Sequence, residues 1–235
     1  NFRSSPMFNR AVIPIVLALV IPDFVQARDL ESSYSAVDIE KLQITVGVGE
    51  IRLESGSDDA IRVEIELKPS DDAGADVDDL IDAAELVASS SNGRLELQVV
   101  FPGGGKDSDI QQDWRVYAPQ ALGAMIEMGV GVLDVRGLEG GVEAKVGVGE
   151  TRVDVPGGAL RLNTSVGEVS VHNGAKNIGD VDLDSNIGEV SLRVDGNDIE
   201  SERSMFVGSR LSWSGDGEDD IDVRVNVGEI VVRID

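Results

Sequence analysis

Val46-Gly-Val-Gly-Glu50 is the stretch that decides the fold, and it recurs as Val146-Gly-Val-Gly-Glu150. Shorter copies follow at residues 165–169, 186–190 and 226–230. The apolar residue before the glycine recurs through the second half of the chain, with spacings of 18 to 21 residues, at Val130, Val148, Val166, Ile187, Val207 and Val227. A near-constant period of about 20 residues is typical of a repeat array.

The repeat consists of strands that bend at the glycine. From Leu160 to Val166 the residues alternate with period two, as they do in a half-buried strand. Beyond the glycine the next inward residue comes three positions later, as in the step from Val166 to Val169 or from Val48 to Ile51. A step of three changes the parity of a strand, so the chain must bend or bulge at Gly-Glu. Glycine permits the backbone angles of such a corner.

We therefore predict an all-β fold, a single-stranded right-handed parallel β-solenoid of about 20-residue coils. Successive coils would stack in parallel at about 4.8 Å. One predicted inner column contains the six residues that precede the glycines. The second contains Leu133, Thr151, Val169, Val190 and Ile230.

Residues 28–125 are less regular than residues 126–235, although both belong to one predicted domain. Val48 and Val130 are 82 positions apart, which leaves room for about four coils in a continuous array. Apolar residues at helical spacing between Val77 and Val87 predict a short helical insertion near residues 75–88, with an acidic loop as the alternative. Strands are predicted at residues 42–54, 60–67, 94–101 and 113–117.

Residues 1–27 are predicted to be a cleaved signal peptide. Arg10 precedes the apolar run Ala11–Pro22, and Val25-Gln-Ala27 follows as a small-residue cleavage site. As a membrane anchor the run is short, because a 12-residue helix is about 18 Å long and a hydrocarbon core is about 30 Å thick. We expect no membrane insertion after cleavage, and we expect the protein in the periplasm or at the cell surface of a bacterium.

The composition excludes several classes of function. The chain has 44 acidic and 20 basic residues and a net charge of −24, which disfavours nucleic acid as a partner. The absence of cysteine excludes disulfides and thiol catalysis, and the single histidine, His172, excludes a multi-histidine metal site within one chain. Alternation places His172 on the outer surface, where we expect it to be solvated.

Glu150, Glu168 and Glu189 occupy the same position in three coils, two residues after the apolar position. Like charges stacked at strand spacing are destabilising. The three carboxylates must therefore extend into water, pair with arginine or share a cation such as Ca²⁺. This candidate metal site is the one cofactor possibility that the residues suggest.

The segments Val48-Gly-Glu-Ile-Arg-Leu53, Val166-Gly-Glu-Val-Ser-Val171, Ile178-Gly-Asp-Val-Asp-Leu183 and Ile187-Gly-Glu-Val-Ser-Leu192, behind a signal peptide, carry a family resemblance. They resemble the bacterial putative-adhesin β-strand-repeat domain, a domain of unknown function similar to the head domain of putative autotransporter adhesins. The resemblance covers roughly residues 40–235. It implies an envelope location, a β-solenoid-like fold and an adhesion role, and it supplies no catalytic residues.

The sequence thus favours a non-enzymatic exported interaction module, an adhesin or an envelope scaffold, with a protein or a cell surface as its partner. The alternatives are a glycan-degrading β-helix enzyme and a periplasmic regulatory partner of an envelope-stress system. The final strand, Ile230–Ile234, would leave an open edge. We expect this edge to pair with a second copy or a partner strand, or to be covered by the segment Tyr34–Ile39.

Overall fold

The computed structural model describes residues 27–56, 59–71, 73–74, 76–102, 109–174, 177–200, 202–203 and 208–235. The predicted leader up to residue 26 and the repeat position Val207 lie outside these ranges. Within them the chain forms fifteen strands and one helix, and one sheet contains all fifteen strands. The elements are β1 (Arg28–Ser35), β2 (Lys41–Gly56), β3 (Ala60–Pro69), α1 (Val77–Ala83), β4 (Glu85–Ser91), β5 (Arg94–Val100), β6 (Ile110–Pro119), β7 (Gly123–Arg136), β8 (Val142–Val155), β9 (Leu160–Asn173), β10 (Ile178–Ile187), β11 (Val190–Val194), β12 (Asn197–Ile199), β13 (Glu202–Arg203), β14 (Ser209–Ser214) and β15 (Asp219–Ile234).

Five long strands form a parallel spine in the order β2, β7, β8, β9, β15. The sheet divides at both ends of this spine. Residues 41–45 of β2 pair with β5, whereas residues 49–56 pair with β6. At the other end, residues 219–227 of β15 pair with β10 and residues 230–234 pair with β11. The spine strands therefore have two arms, one on each side of the glycine.

The all-β prediction is confirmed, but the sheet is mixed. Strands β1, β3 and β6 pair antiparallel, and so do β4 with β5, β10 with β14, β13 with β14, and β11 with β12. In a single-stranded parallel solenoid each strand would pair with its counterpart in the next coil. Consecutive coils stack in this way only at β7, β8 and β9 among the described strands. The predicted solenoid is therefore corrected to a mixed sheet with a parallel spine.

The order of the last repeats also differs from the prediction. Strand β15 lies between β9 and β10, so Val227 stands beside Val166 and Ile187 instead of following Val207. Residues 221–234 of β15 pair with β9, and the opposite side pairs with β10 and β11. The predicted open C-terminal edge is therefore wrong. The segment Tyr34–Ile39 does not cover it, because β1 pairs with β3 at the opposite end of the sheet.

The first half of the chain adds antiparallel strands beside the spine, not four further coils. Val48 of β2 pairs directly with Val130 of β7, across the intervening 82 positions. The helix is confirmed over Val77–Ala83, where Val77 and Ile81 are buried and Asp78 and Asp79 lie in the first turn. Residues 85–88, predicted at the end of the helix, instead belong to strand β4. The Asn92-Gly93 turn, with positive φ at both residues, joins β4 to β5 as an antiparallel hairpin.

The core contains the second predicted column and excludes the described members of the first. Each member of the second column is buried, namely Leu133, Thr151, Val169, Ile230 and Val190. Ile51, which pairs with Leu133, is buried as well. The last buried residue before the bend lies two positions earlier in the chain than predicted. It is Val46 instead of Val48 on β2, and Val146 instead of Val148 on β8. The bend therefore takes the four residues 47–50. The described residues of the first column stand on the outside of that bend.

Candidate functional site

A column of glycines forms the bend of the sheet. Gly49, Gly131, Gly149, Gly167, Gly228 and Gly188 pair across neighbouring strands, and each has a φ between +143° and +149°. A side chain at Gly149 would place its Cβ 1.8 Å from the carbonyl oxygen of Gly131, and one at Gly167 would lie 1.7 Å from that of Gly149. Both the backbone angle and the close approach of the strands therefore require glycine here.

An exposed row of β-branched side chains stands next to this column, and we call it the corner ridge. Val130 and Val148 are each 47% exposed, and Ile187 is 49% exposed. The ridge crosses six strands with one apolar side chain on each, namely Val48, Val130, Val148, Val166, Val227 and Ile187. At strand spacing it is about 24 Å long. An apolar row of this kind on a surface marks an interaction site more often than isolated exposed side chains do.

On the other side of the glycines runs a row of glutamates, the acid row, which contains Glu50, Glu150, Glu168, Glu229 and Glu189. It has Val132 in place of a glutamate on β7. Glu50 pairs with Arg52 at 2.7 Å, and Glu150 pairs with Arg152. No ion pair joins Glu168, Glu229 or Glu189 to any of the described residues. The corresponding positions beside them are Ser170, Val231 and Ser191 instead of arginine. Two of the five glutamates are thus neutralised, and the other three, in the half of the row on β9, β15 and the link from β10 to β11, carry uncompensated negative charge.

The predicted metal ligands lie in this row, but not as three neighbours. Glu150 and Glu168 are adjacent, whereas Glu229 stands between Glu168 and Glu189 because β15 is inserted there. Within the described ranges no group of three or more acidic, histidine or cysteine side chains could hold a metal ion. Calcium binding by Glu150, Glu168 and Glu189 stays an untested prediction.

A groove of about 590 Å³ runs across the strands on the opposite side of the ridge from the acid row. Its lining combines small, amide and apolar residues, and Asn186 Nδ2 donates a hydrogen bond to Asn226 Oδ1 at 2.7 Å. One wall carries two basic residues flanked by two acidic ones, in the strand order Glu127, Lys145, Asn163, Arg224 and Asp184. Glu127 and Lys145 form an ion pair at 3.2 Å.

The other charges of the groove wall are paired as well. Arg224 contacts Asp222 at 2.8 Å, and Asp184 contacts Arg210. The carboxylate of Asp184 accepts a hydrogen bond from Arg210 and raises the pKa of that guanidinium above its usual value. No charged residue of this wall is left to act as a free acid or base.

Most of the aromatic residues that the structure describes are buried in the core or partly buried against it. Trp114 is buried, and its indole Nε1 donates to Gln112 Oε1 at 3.2 Å. Phe101 is also buried, and Trp213 lies half-buried at a second cavity of about 550 Å³, together with Asn177 and Asp216. No aromatic residue lines the groove beside the ridge.

His172 lies on the outer surface, as its alternation predicts, but it also contacts two carboxylates. Its Nδ1 lies 2.9 Å from Asp154 Oδ1, and its Nε2 lies 2.8 Å from Asp235 Oδ2. These two carboxylates raise the pKa of the imidazole above its usual value. The sequence does not reveal this cluster, because Asp154 and Asp235 meet His172 only through the pairing of β8, β9 and β15.

One of three comparisons with known proteins identifies a similar fold. Neither the scan against protein-family models nor the search of curated proteins found a match. Among solved structures, a putative cell adhesion protein from Clostridium sporogenes matches with a TM-score of 0.58 and 16% identity, over 89% of this chain and all of that one. A putative adhesin from Bacteroides fragilis matches with a TM-score of 0.31 and 10% identity, over 88% and 97% of the two chains. A putative lipid binding protein from Parabacteroides distasonis matches with a TM-score of 0.29 and 11% identity, over 89% and 96%.

This chain has the fold of the Clostridium putative cell adhesion protein. The resemblance to putative adhesins that the Gly-Glu motifs indicate is confirmed at the level of the fold. In the part of the chain that the structure describes, no helix has the length and the apolar character needed to cross a membrane.

Proposed function

We propose that the protein is an exported, non-enzymatic interaction module of the bacterial envelope with an adhesin-like role. The observation that carries this proposal is the corner ridge, which leaves five β-branched side chains 41–49% exposed in one continuous row. The exposed half of these side chains gains nothing from folding, so a regular row of them is best explained by a partner that covers it. The fold shared with a protein called a putative cell adhesion protein supports the same role.

The groove supports binding more than glycan hydrolysis. Glycosidases use two carboxyl groups about 5 to 9.5 Å apart. The two acids of the groove, Glu127 and Asp184, stand four strands apart, which is roughly 19 Å at strand spacing. Each is also engaged in an ion pair. The arrangement therefore favours an interaction module over the glycan-degrading alternative.

The experiment that tests the proposal is a retention assay. Purified protein is coated on a surface, and the bacterial or host cells retained are counted against an albumin-coated surface. We expect wild-type protein to retain cells and the double variant Val148→Thr/Val166→Thr to retain severalfold fewer. Threonine keeps the shape and the β-propensity of valine while making the ridge polar.

The matched control is Val37→Thr/Val87→Thr, which changes two exposed valines away from the ridge. This control is expected to retain cells as the wild type does. Wild-type protein that retains no more cells than albumin, from any source tried, would contradict the adhesin-like role. Equal loss in both double variants would contradict the assignment of that role to the ridge.

A further inference from the structure

The uncompensated half of the acid row lies beside the same half of the ridge. Val166, Val227 and Ile187 are exposed on three neighbouring strands, and Glu168, Glu229 and Glu189 follow each of them by two residues. The three glutamates are exposed and have no ion-pair partner among the described residues. One apolar stripe and one acidic stripe therefore run in parallel, with only the glycine column between them.

We propose that this surface, the acidic half of the corner ridge, binds a basic amphipathic helix of a partner protein. The proposal rests on the proposed function and adds the chemistry of its partner. Charge complementarity requires the partner's surface to be positively charged. A partner that covers the ridge must lie against three unpaired carboxylates, on a chain of net charge −24. A second copy of the same chain would bring two acid rows together, and that contact is repulsive.

The geometry favours a helix over an extended strand as the occupant. In a strand, successive side chains point to opposite faces, so apolar and basic residues that alternate cannot both contact this surface. A helix can carry an apolar stripe with a basic stripe next to it. Its pitch of about 5.4 Å is close to the strand spacing of about 4.8 Å, so successive turns can follow successive strands. A helix of about 16 residues would span the whole ridge, which is about 24 Å long.

The test uses a synthetic amphipathic peptide of about 18 leucine and lysine residues, long enough to form a helix of about 27 Å. The leucines lie on one face, and a fluorescent label reports binding by anisotropy. A scrambled peptide of the same composition is the control for non-specific attraction to an acidic protein. We expect the amphipathic peptide to bind wild-type protein at least about tenfold more tightly than the scrambled one, because only it can place both stripes in contact.

Two triple variants probe the two stripes. Glu168→Gln/Glu229→Gln/Glu189→Gln removes the charges, and Val166→Thr/Val227→Thr/Ile187→Thr makes the apolar stripe polar. Each is expected to weaken peptide binding by about tenfold, which corresponds to three surface contacts of about 0.5 kcal/mol each. The matched control Glu31→Gln/Glu64→Gln/Glu96→Gln removes the same number of negative charges at exposed positions away from the ridge. It is expected to bind as the wild type does.

Equal weakening by the control triple would overturn the proposal, because net charge alone would then explain the binding. So would equal affinity for the two peptides, or an unchanged affinity of the threonine triple. Dimer formation that the threonine triple abolishes, measured by light scattering, would identify a second copy as the occupant and would also overturn it. Cell retention by wild-type protein without peptide binding would contradict this inference and leave the proposed function standing, since the peptide assay contains no cells.

Discussion

His172 Nε2 lies 2.8 Å from Asp235 Oδ2, across the pairing of β9 with the end of β15, although the two residues are 63 positions apart in the chain. On its other side, His172 Nδ1 lies 2.9 Å from Asp154 Oδ1 on β8. One imidazole thus connects three neighbouring spine strands near their C-terminal ends. Strand β15 is the strand that the chain inserts out of order, so this contact stabilises the pairing that the repeats alone do not specify.

The first prediction concerns the pH dependence of this contact. Hydrogen bonds to Asp154, and then to Asp235, raise the pKa of His172 in the folded state above the unfolded value of about 6.5. The contact therefore stabilises the fold fully below that unfolded value, and the stabilisation is lost as pH rises through the folded-state pKa. We expect about 0.5 kcal/mol, a magnitude limited by the exposure of all three side chains.

Urea unfolding of wild type and His172→Gln at about pH 5.5 and pH 8.5 measures this effect. The wild type should be more stable than the variant at the lower pH, and the difference should shrink at the higher pH. Salt at about 1 M should also reduce it by screening. A difference that grows with pH would show that the neutral imidazole is the stabilising form and would contradict the assignment.

The second prediction concerns the glycine corner. Gly167→Ala would place a Cβ 1.7 Å from the carbonyl oxygen of Gly149, at a φ of +145°. We expect a loss of about 3 kcal/mol or more in the free energy of unfolding, because both backbone strain and a backbone clash are introduced. Gly174→Ala is the matched control, since its nearest neighbour is the Cα of Pro156 at 3.9 Å. Circular dichroism and urea unfolding should separate the two variants, and equal stabilities would show that the spine strands can move apart.

The glycine corner and the buried column after it could be predicted from the sequence, because each repeat carries the same Gly-Glu motif in the same register. Ile51, Thr151 and Val169 are buried as their spacing indicates. The outward position of the ridge could not be predicted, because Val46 and Val48 are both apolar and alternation alone does not show which of them ends the inward face. The structure decides it through the four-residue bend.

The order of the strands could not be predicted either. The motifs at Val166, Ile187 and Val227 are equivalent in shape and polarity, so any of them fits beside any other. Strand β10 pairs antiparallel with β14 on one side, which leaves its other side for β15. The last strand can therefore return to a place between β9 and β10. That long-range pairing also creates the His172 cluster and the run of three unpaired glutamates, which the repeat period alone does not reveal.

The third prediction concerns export and rests on the sequence. Expressed with its leader in a Gram-negative host, the protein should fractionate outside the cytoplasm and begin at Arg28, because Val25-Gln-Ala27 forms the cleavage site. Cell fractionation and N-terminal sequencing measure this. Leu17→Arg/Leu19→Arg interrupts the apolar run and should leave the uncleaved protein in the cytoplasm. An intact leader on wild-type protein in the inner membrane would instead indicate a membrane anchor.

The fourth prediction concerns one polar atom in the buried column. Thr151 is 1% exposed and lies between Leu133 and Val169, and its Oγ1 has no hydrogen-bond partner among the residues that the structure describes. A buried hydroxyl without a partner costs about 1 to 3 kcal/mol, whereas valine has the same shape and no group to desolvate. We therefore expect Thr151→Val to stabilise the fold by about 1 kcal/mol.

Val169→Thr, on the adjacent strand of the same column, is the mirror-image control and should destabilise the fold by a similar amount. Urea midpoints of unfolding, compared at constant m-value, measure both changes. A lower midpoint for Thr151→Val than for the wild type would show that the threonine hydroxyl is hydrogen-bonded in solution. The column would then not be apolar at this strand.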